Sequence, residues 1–87
     1  MWMEKLKRST AAPWQNLGTE TLVLQPKAGK AHELNETSTW FWTRLDGQYT
    51  VEELFTQFLV DFDCDKDEVR PEIEKHLIEL RQQGLIE

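Results

Sequence analysis

The spacing of apolar residues changes once along the chain, from a period of two to a period of 3.6. Residues 20–25, "ETLVLQ", and residues 29–34, which end in "KAHEL", have the short, partly alternating composition of strands. Between them "PKAG" places proline early in a tight turn and glycine at its end. The pattern predicts a hairpin with strands at about 20–25 and 29–34, and a weaker strand at 14–17.

From Asn35 onward the apolar residues recur at the spacing of a helix. The first predicted helix is capped by Asn35 or Thr37 and ends at residues 46–47, because glycine is favoured just past a helix end. Its apolar side holds Phe41, Trp42 and Leu45. Trp40 lies about 100° round this helix from Phe41 and about 200° from Trp42. We therefore expect one of the three aromatic residues to show a face to solvent or to a partner.

Two more helices follow, and each begins at a residue suited to capping. Thr50 with Glu53 has the spacing of a capping box, and Asp65 with Glu68 repeats it. The apolar stripe of the second helix comprises Val51, Leu54, Phe55, Phe58 and Leu59, and that of the third comprises Val69, Ile73, Leu77 and Leu80. The third helix is predicted to end at Gly84.

The element order is two or three strands followed by three helices, which predicts an α+β domain. An isolated hairpin is marginally stable in water and the helices need an apolar cover, so both halves are expected to share one core. We predict a flexible tail at residues 1–13 and one domain at residues 14–87.

Charge and cysteine content narrow the function classes. The 87 residues carry 16 Asp and Glu against 10 Lys and Arg, a net charge of −6, which disfavours nucleic acid as a partner. The basic start of the chain is not followed by the apolar stretch of a signal peptide, and no apolar run is long enough to span a membrane. Without such a run we expect no membrane partner. The single cysteine, Cys64, allows no internal disulfide, which fits a cytoplasmic location.

No residue pattern indicates catalysis, a metal or a cofactor. Asp61, Asp63, Asp65 and Asp67 alternate as in a calcium loop, with Glu72 twelfth, but Lys66 stands where that loop requires glycine. A helix-to-helix turn with acidic caps explains the same residues better. His32, His76 and Cys64 lack the short spacings of a zinc site, and the acidic neighbours of Cys64 disfavour its thiolate. We predict that the protein is not an enzyme and has no cofactor.

Residues 32–87 resemble the PqqD family of small peptide-chaperone domains. The matching segments are "LNET" from Leu34, "RLDG" from Arg44 with Trp42 two residues before it, "TVEEL" from Thr50, and the closing "LxxLxxxGLI" from Leu77. The hairpin before them resembles that of the family as well. The resemblance implies a winged-helix-like arrangement of a three-stranded sheet and three helices.

For function, the resemblance implies an adaptor, a RiPP recognition element that binds the leader segment of a ribosomally made precursor peptide. The adaptor would present this segment to a modifying enzyme such as a radical-SAM protein. A leader bound as an added β-strand would pair with the free edge of the third strand and enter a cleft beside the third helix. The candidate peptide-binding residues are Lys30, Ala31, His32, Glu33 and Leu34 on the strand and Val69, Arg70, Ile73, Glu74 and Leu77 on the helix.

Two other functions share this inventory of elements. One is a winged-helix regulator that binds nucleic acid, which the glutamates of the third helix disfavour. The other is a structural subunit of a larger assembly, with Trp2 and Trp40 as docking residues. The sequence leaves open the precursor, the enzyme and whether the domain is a monomer or a dimer.

Overall fold

The computed structural model describes all 87 residues and confirms the predicted α+β class and order of elements. A three-stranded antiparallel sheet precedes three helices. The elements are β1 (Trp14–Leu17), β2 (Glu20–Gln25), β3 (Lys30–Leu34), α1 (Glu36–Trp42), α2 (Val51–Asp61) and α3 (Lys66–Gln82). The strand order β1-β2-β3 makes β2 the central strand and β3 an edge.

The β2–β3 hairpin closes through a short 3₁₀ turn at Pro26–Ala28. Gly29 follows with a φ of 65°, in the left-handed region that glycine enters without a steric penalty. The turn sets the register that pairs Gln25 with Lys30. Alternate residues of the sheet then face the helices, as the complete burial of Val23 illustrates.

Local capping explains where the helices begin. The Asn35 side chain accepts a hydrogen bond from the Ser38 amide (2.9 Å) and caps α1. Thr50 and Glu53 form the reciprocal capping box of α2, with hydrogen bonds of 3.1 and 3.0 Å. Asp65 caps α3 by accepting from the amide of Asp67 (2.8 Å), the second residue of the helix.

The first helix is shorter than the sequence predicts, because it ends at Trp42 instead of continuing to Asp46. The chain beyond it pairs with the N-terminal segment. The Leu45 carbonyl accepts from the amide of Arg8 (2.9 Å), and the Gly47 amide donates to the carbonyl of Leu6 (3.1 Å). These tertiary hydrogen bonds take the place of further helical ones.

Residues 1–13 lie packed against the rest of the domain, which differs from the flexible tail that the sequence predicts. Leu6 is only 2% exposed and belongs to the core. The segment also pairs with the C-terminus. The Ser9 amide donates to the carbonyl of Leu85 (2.9 Å), and the Glu87 amide donates to the carbonyl of Lys7 (2.7 Å). Because it is irregular backbone held by distant residues, its apolar residues show no period that a sequence reading could detect.

The aromatic residues of α1 are all buried. Trp42 is 0% exposed, and Trp40 packs edge-on against Phe41 and Phe58. Trp40 keeps its polar edge satisfied because its Nε1 donates to the carboxylate of Asp61 (3.0 Å). The expected exposed aromatic face is therefore not in this helix. None of the three helices is long and apolar enough to cross a membrane.

Candidate functional site

Two strands, β1 and β3, form the edges of the sheet, because each pairs with β2 alone. On the side of β3 away from β2, no strand pairs with its backbone. An unpaired edge exposes a row of backbone donors and acceptors to which another extended chain can bind. This edge is the first component of the candidate site.

The pairing of the sheet indicates which residues of β3 present their backbone there. The Leu24 amide donates to the carbonyl of Pro13 (2.8 Å), so Leu24 directs its backbone groups toward the β1 side. Because these groups alternate along an antiparallel strand, the neighbours Val23 and Gln25 direct theirs toward β3.

The partners of these two residues on β3 are His32 and Lys30, which therefore use their backbone groups within the sheet. The alternate residues, Ala31 and Glu33, direct their N–H and C=O groups to the open edge. An incoming strand would find two donors and two acceptors at these two positions.

A groove of about 500 Å³ lies between the open edge and α3. Its strand side is formed by Ala31, His32, Glu33 and Leu34, continued at the start of α1 by Asn35 and Ser38. Its helix side is formed by His76, Glu79, Leu80 and Gln83. Of the five predicted strand residues, four line this groove; Lys30 begins β3 but does not line it.

Hydrogen bonds connect the walls of the groove. His76 Nδ1 lies 2.9 Å from the Ser38 hydroxyl, which links α3 to α1. His32 Nε2 lies 2.6 Å from the side-chain oxygen of Gln25, whose amide nitrogen donates to the carbonyl of Gln83 (2.7 Å). Gln25 thus joins β3 to the end of α3, and both histidines are held by neutral partners.

Three of the predicted helix residues belong to the hydrophobic core or pack against it. Ile73 and Leu77 are each 1% exposed, and Val69 packs partly buried against the same core. Ile73 and Leu77 also line a very small cavity beneath the groove, which shares His76 and Leu80 with it. They support the floor of the groove without lining it.

The other two predicted helix residues face away from the groove. The Arg70 guanidinium binds both carboxylate oxygens of Glu52 (3.0 and 3.3 Å) and stacks 3.9 Å from the Trp2 ring. Glu74 accepts a hydrogen bond from the indole nitrogen of Trp2 (2.7 Å). Arg70 and Glu74 thus contact the N-terminal segment and α2, and the structure does not bring them to β3.

The geometry of a helix explains this difference. Successive residues turn by about 100°, so Arg70 and Glu74 lie on one side of the apolar stripe and His76 and Gln83 on the other. The sequence pattern identifies the stripe, but only the tertiary fold determines which side of it faces β3. The sequence pattern places Leu80 in the apolar stripe of α3. No pattern in the sequence marks the other groove residues as part of a site; they are His76, Glu79, Gln83 and Ser38.

The two carboxyl groups with shifted pKa values also lie outside the groove. The pKa of Glu4 is lowered, first by its hydrogen bond with Arg81 and then by that with the N-terminal ammonium. The pKa of Glu53 is lowered by the backbone and side-chain hydrogen bonds of Thr50. Both carboxylates stabilise the fold locally and take no part in the groove.

The acidic residues considered for calcium have structural roles at helix ends. Asp61 accepts from Trp40, and Asp65 caps α3. The structure brings together no group of three or more His, Cys, Asp or Glu side chains that could hold a metal ion. Cys64 is exposed in the loop between α2 and α3, and it is not among the groove residues.

The fold and the site together define a class: small α+β domains in which an open edge strand borders a groove beside the last helix. The chain belongs to the PqqD family, because the family model described as "Coenzyme PQQ synthesis protein D (PqqD)" matches residues 20–86. This match confirms the resemblance seen in the sequence.

A solved structure of TbiB1 in complex with the TbiA(beta) leader peptide has a similar fold, with a TM-score of 0.82. The alignment covers 93% of this chain and 94% of that one at 21% identity, so the likeness extends to the N-terminal segment. A search of curated proteins gives no match.

Proposed function

We propose that this protein is a non-catalytic adaptor that binds the leader segment of a ribosomally made precursor peptide. The observation that carries the proposal is the open edge of β3 beside a groove, in a chain of the PqqD family. The similar fold of TbiB1, a protein found with a leader peptide, supports the same function. The adaptor would present its peptide to a modifying enzyme, for which a radical-SAM protein is one candidate.

In the proposed mode of binding, the leader adds a fourth strand to the sheet. The backbone groups of Ala31 and Glu33 supply up to four hydrogen bonds, which give affinity without reading sequence. Alternate side chains of the leader enter the groove toward α3, where His76 and Leu80 contact them. These side-chain contacts select among peptides.

We propose His76, Glu79, Leu80 and Gln83 as the helix side of the site, because they line the groove. Arg70 and Glu74 are left out, because they contact Glu52 and Trp2. Ile73, Leu77 and Val69 contribute by holding α3 in place. A change at these three residues would damage the fold together with binding.

The alternative of a nucleic-acid regulator is weakened by the arginines of α3. Arg70 is paired with Glu52, and Arg81 is paired with Glu4 at 2.6 Å. Neither guanidinium is free to bind phosphate, while Glu68, Glu72 and Glu79 are exposed on the same helix. DNA binding that fell steeply with added salt would favour the regulator instead.

The alternative of a structural subunit loses its two proposed docking residues. The Trp2 ring packs against Phe55 and beneath Arg70, and the Trp40 ring packs within the core with the Arg44 guanidinium 4.0 Å away. Both rings are engaged within the chain.

Affinity capture with the tagged full chain, followed by mass spectrometry that detects short peptides, identifies the precursor. The leader part of that precursor is then synthesised, and its binding is measured by fluorescence polarisation. Recovery of a large protein with no peptide, even when the precursor accumulates, would favour the structural subunit.

The decisive variant is Glu33→Pro, with Glu33→Ala as its matched control. Proline removes one of the two amides that the proposal assigns to the leader, that of Glu33, while leaving the bonds between β2 and β3 in place. We expect affinity for the synthetic leader to fall about tenfold relative to Glu33→Ala, since a bound carbonyl loses its donor. Equal affinity of the two variants, with melting temperatures that show both folded, would contradict strand addition.

A further inference from the structure

The charged residues that line the groove are all acidic. Its ten lining residues include two carboxylates, Glu33 on the strand and Glu79 on the helix, and no Lys or Arg. Lys30 stands at the start of the strand, outside the lining. His32 and His76 are the only other titratable lining residues, and each is hydrogen-bonded to a neutral side chain. The groove lining therefore holds no Lys or Arg to balance its carboxylates.

Neither carboxylate has a partner within the chain. The ion pairs of the structure join Glu4 to Arg81 and to the N-terminal ammonium, and Glu52 to Arg70, all on the other side of α3. Glu33 and Glu79 take part in none of these pairs, and no side-chain hydrogen bond satisfies them.

The arginines are also held away from the groove. Besides the two paired arginines of α3, Arg8 donates to the carbonyl of Trp42 (2.7 Å), and Arg44 donates to the carbonyl of Trp40 (2.9 Å). All four arginines are thus engaged elsewhere, and no lysine forms an ion pair with Glu33 or Glu79. Both carboxylates are left for a basic group of the bound segment.

The two carboxylates lie on opposite faces of the strand that would be added. His32 and Leu34 face the helices, since they pair with the buried residues Val23 and Thr21. Glu33 therefore faces the outer side of the sheet, while Glu79 belongs to the helix that covers the inner side. A side chain of the added strand can reach only one of these faces, and its immediate neighbour reaches the other.

We propose that the groove selects leader segments with two basic residues whose positions differ by an odd number (i and i+1, or i and i+3). One of them lies against Glu33 and the other against Glu79. The inference rests on the proposed function, because it takes the ligand to be an added strand. The Lys or Arg on the outer face forms a cross-strand pair with Glu33. The one on the inner face reaches Glu79 along the groove wall, and apolar residues near it cover Leu34 and Leu80. The net charge of −6 attracts such a segment from a distance.

A display library of random twelve-residue peptides tests this selection on the full chain. We expect the wild-type protein to enrich peptides with paired Lys or Arg at odd separations. Representative enriched peptides are then synthesised and titrated against the wild type, Glu33→Lys and Glu79→Lys. The affinity of the basic peptides should fall about three- to tenfold with either reversal. Glu79→Lys should in turn enrich peptides with Asp or Glu at the inner-face position.

The control is Glu72→Lys, which makes the same charge change on the same side of α3 as Glu79, two turns or about 10 Å earlier along the helix axis and outside the groove lining. Its affinity should match that of the wild type. An equal loss in Glu72→Lys, or enriched peptides with no basic pair, would overturn the inference.

The design separates this inference from the proposed function. Peptides that lose affinity in Glu33→Pro relative to Glu33→Ala, but not in the charge reversals, would overturn the charge selection and leave strand addition standing. If neither the enriched peptides nor the captured leader bind Glu33→Pro more weakly than Glu33→Ala, both strand addition and the charge selection would be overturned.

Discussion

Trp2 connects the N-terminus to two helices through three different contacts. Its ring meets Phe55 of α2 edge-on with the centroids 5.4 Å apart, and the Arg70 guanidinium lies over its face. Its indole nitrogen donates to Glu74 of α3. The residues that the sequence placed at the rim of the peptide site are thus those that fix the start of the chain. No local pattern predicts this, since the partners are about 50 to 70 positions apart.

Replacing Trp2 by alanine tests this contact by the stability of the fold. We expect Trp2→Ala to lower the free energy of unfolding by about 1–3 kcal/mol, through the loss of aromatic packing and of the cation–π contact. The Trp2→Phe variant should lose less, because it keeps a ring beneath Arg70. Urea denaturation of the three proteins measures the difference. An unfolding curve of Trp2→Ala that coincides with that of the wild type would show that the contact contributes nothing.

Helix starts and the hairpin turn were predictable because their causes lie within a few residues. The capping box at Thr50 and the turn that ends at Gly29 are read directly from neighbouring side chains and backbone requirements. The end of α1 was not predictable, because hydrogen bonds from Arg8 and to Leu6 decide it. For the same reason four of the five predicted strand residues line the groove, whereas Arg70 and Glu74 of the predicted helix residues lie away from it.

The capping box of α2 should make stability depend on pH in a defined direction. The folded-state pKa of Glu53 lies below its ordinary value, so the stabilisation is fully present above that value and is lost as the pH falls through the lowered one. We expect Glu53→Gln to have a lower melting temperature than the wild type at pH 7. This gap should shrink as the pH falls, because protonated glutamic acid resembles glutamine. A gap that stayed constant down to pH 2 would show that the charge of Glu53 is not involved.

The whole molecule is one packed body in which the sheet leaves the outer side of β3 unpaired. The N-terminal segment lies between the loop after α1 and the C-terminal residues, so the two ends of the chain are joined by backbone hydrogen bonds. Only β2 is paired on both sides, and the helices bury their apolar stripes. The edge of β3 has a groove beside it, and this combination is the proposed peptide site.

Amide hydrogen exchange of the full chain, with and without its synthetic leader peptide, tests the central proposal most directly. In the free protein, the amides of Lys30 and His32 should exchange slowly because they bond to β2, while those of Ala31 and Glu33 should exchange quickly. Leader binding should slow exchange at Ala31 and Glu33. A leader that binds while both amides still exchange quickly would contradict strand addition at this edge, and new protection near Arg70 and Glu74 would move the site to the other side of α3.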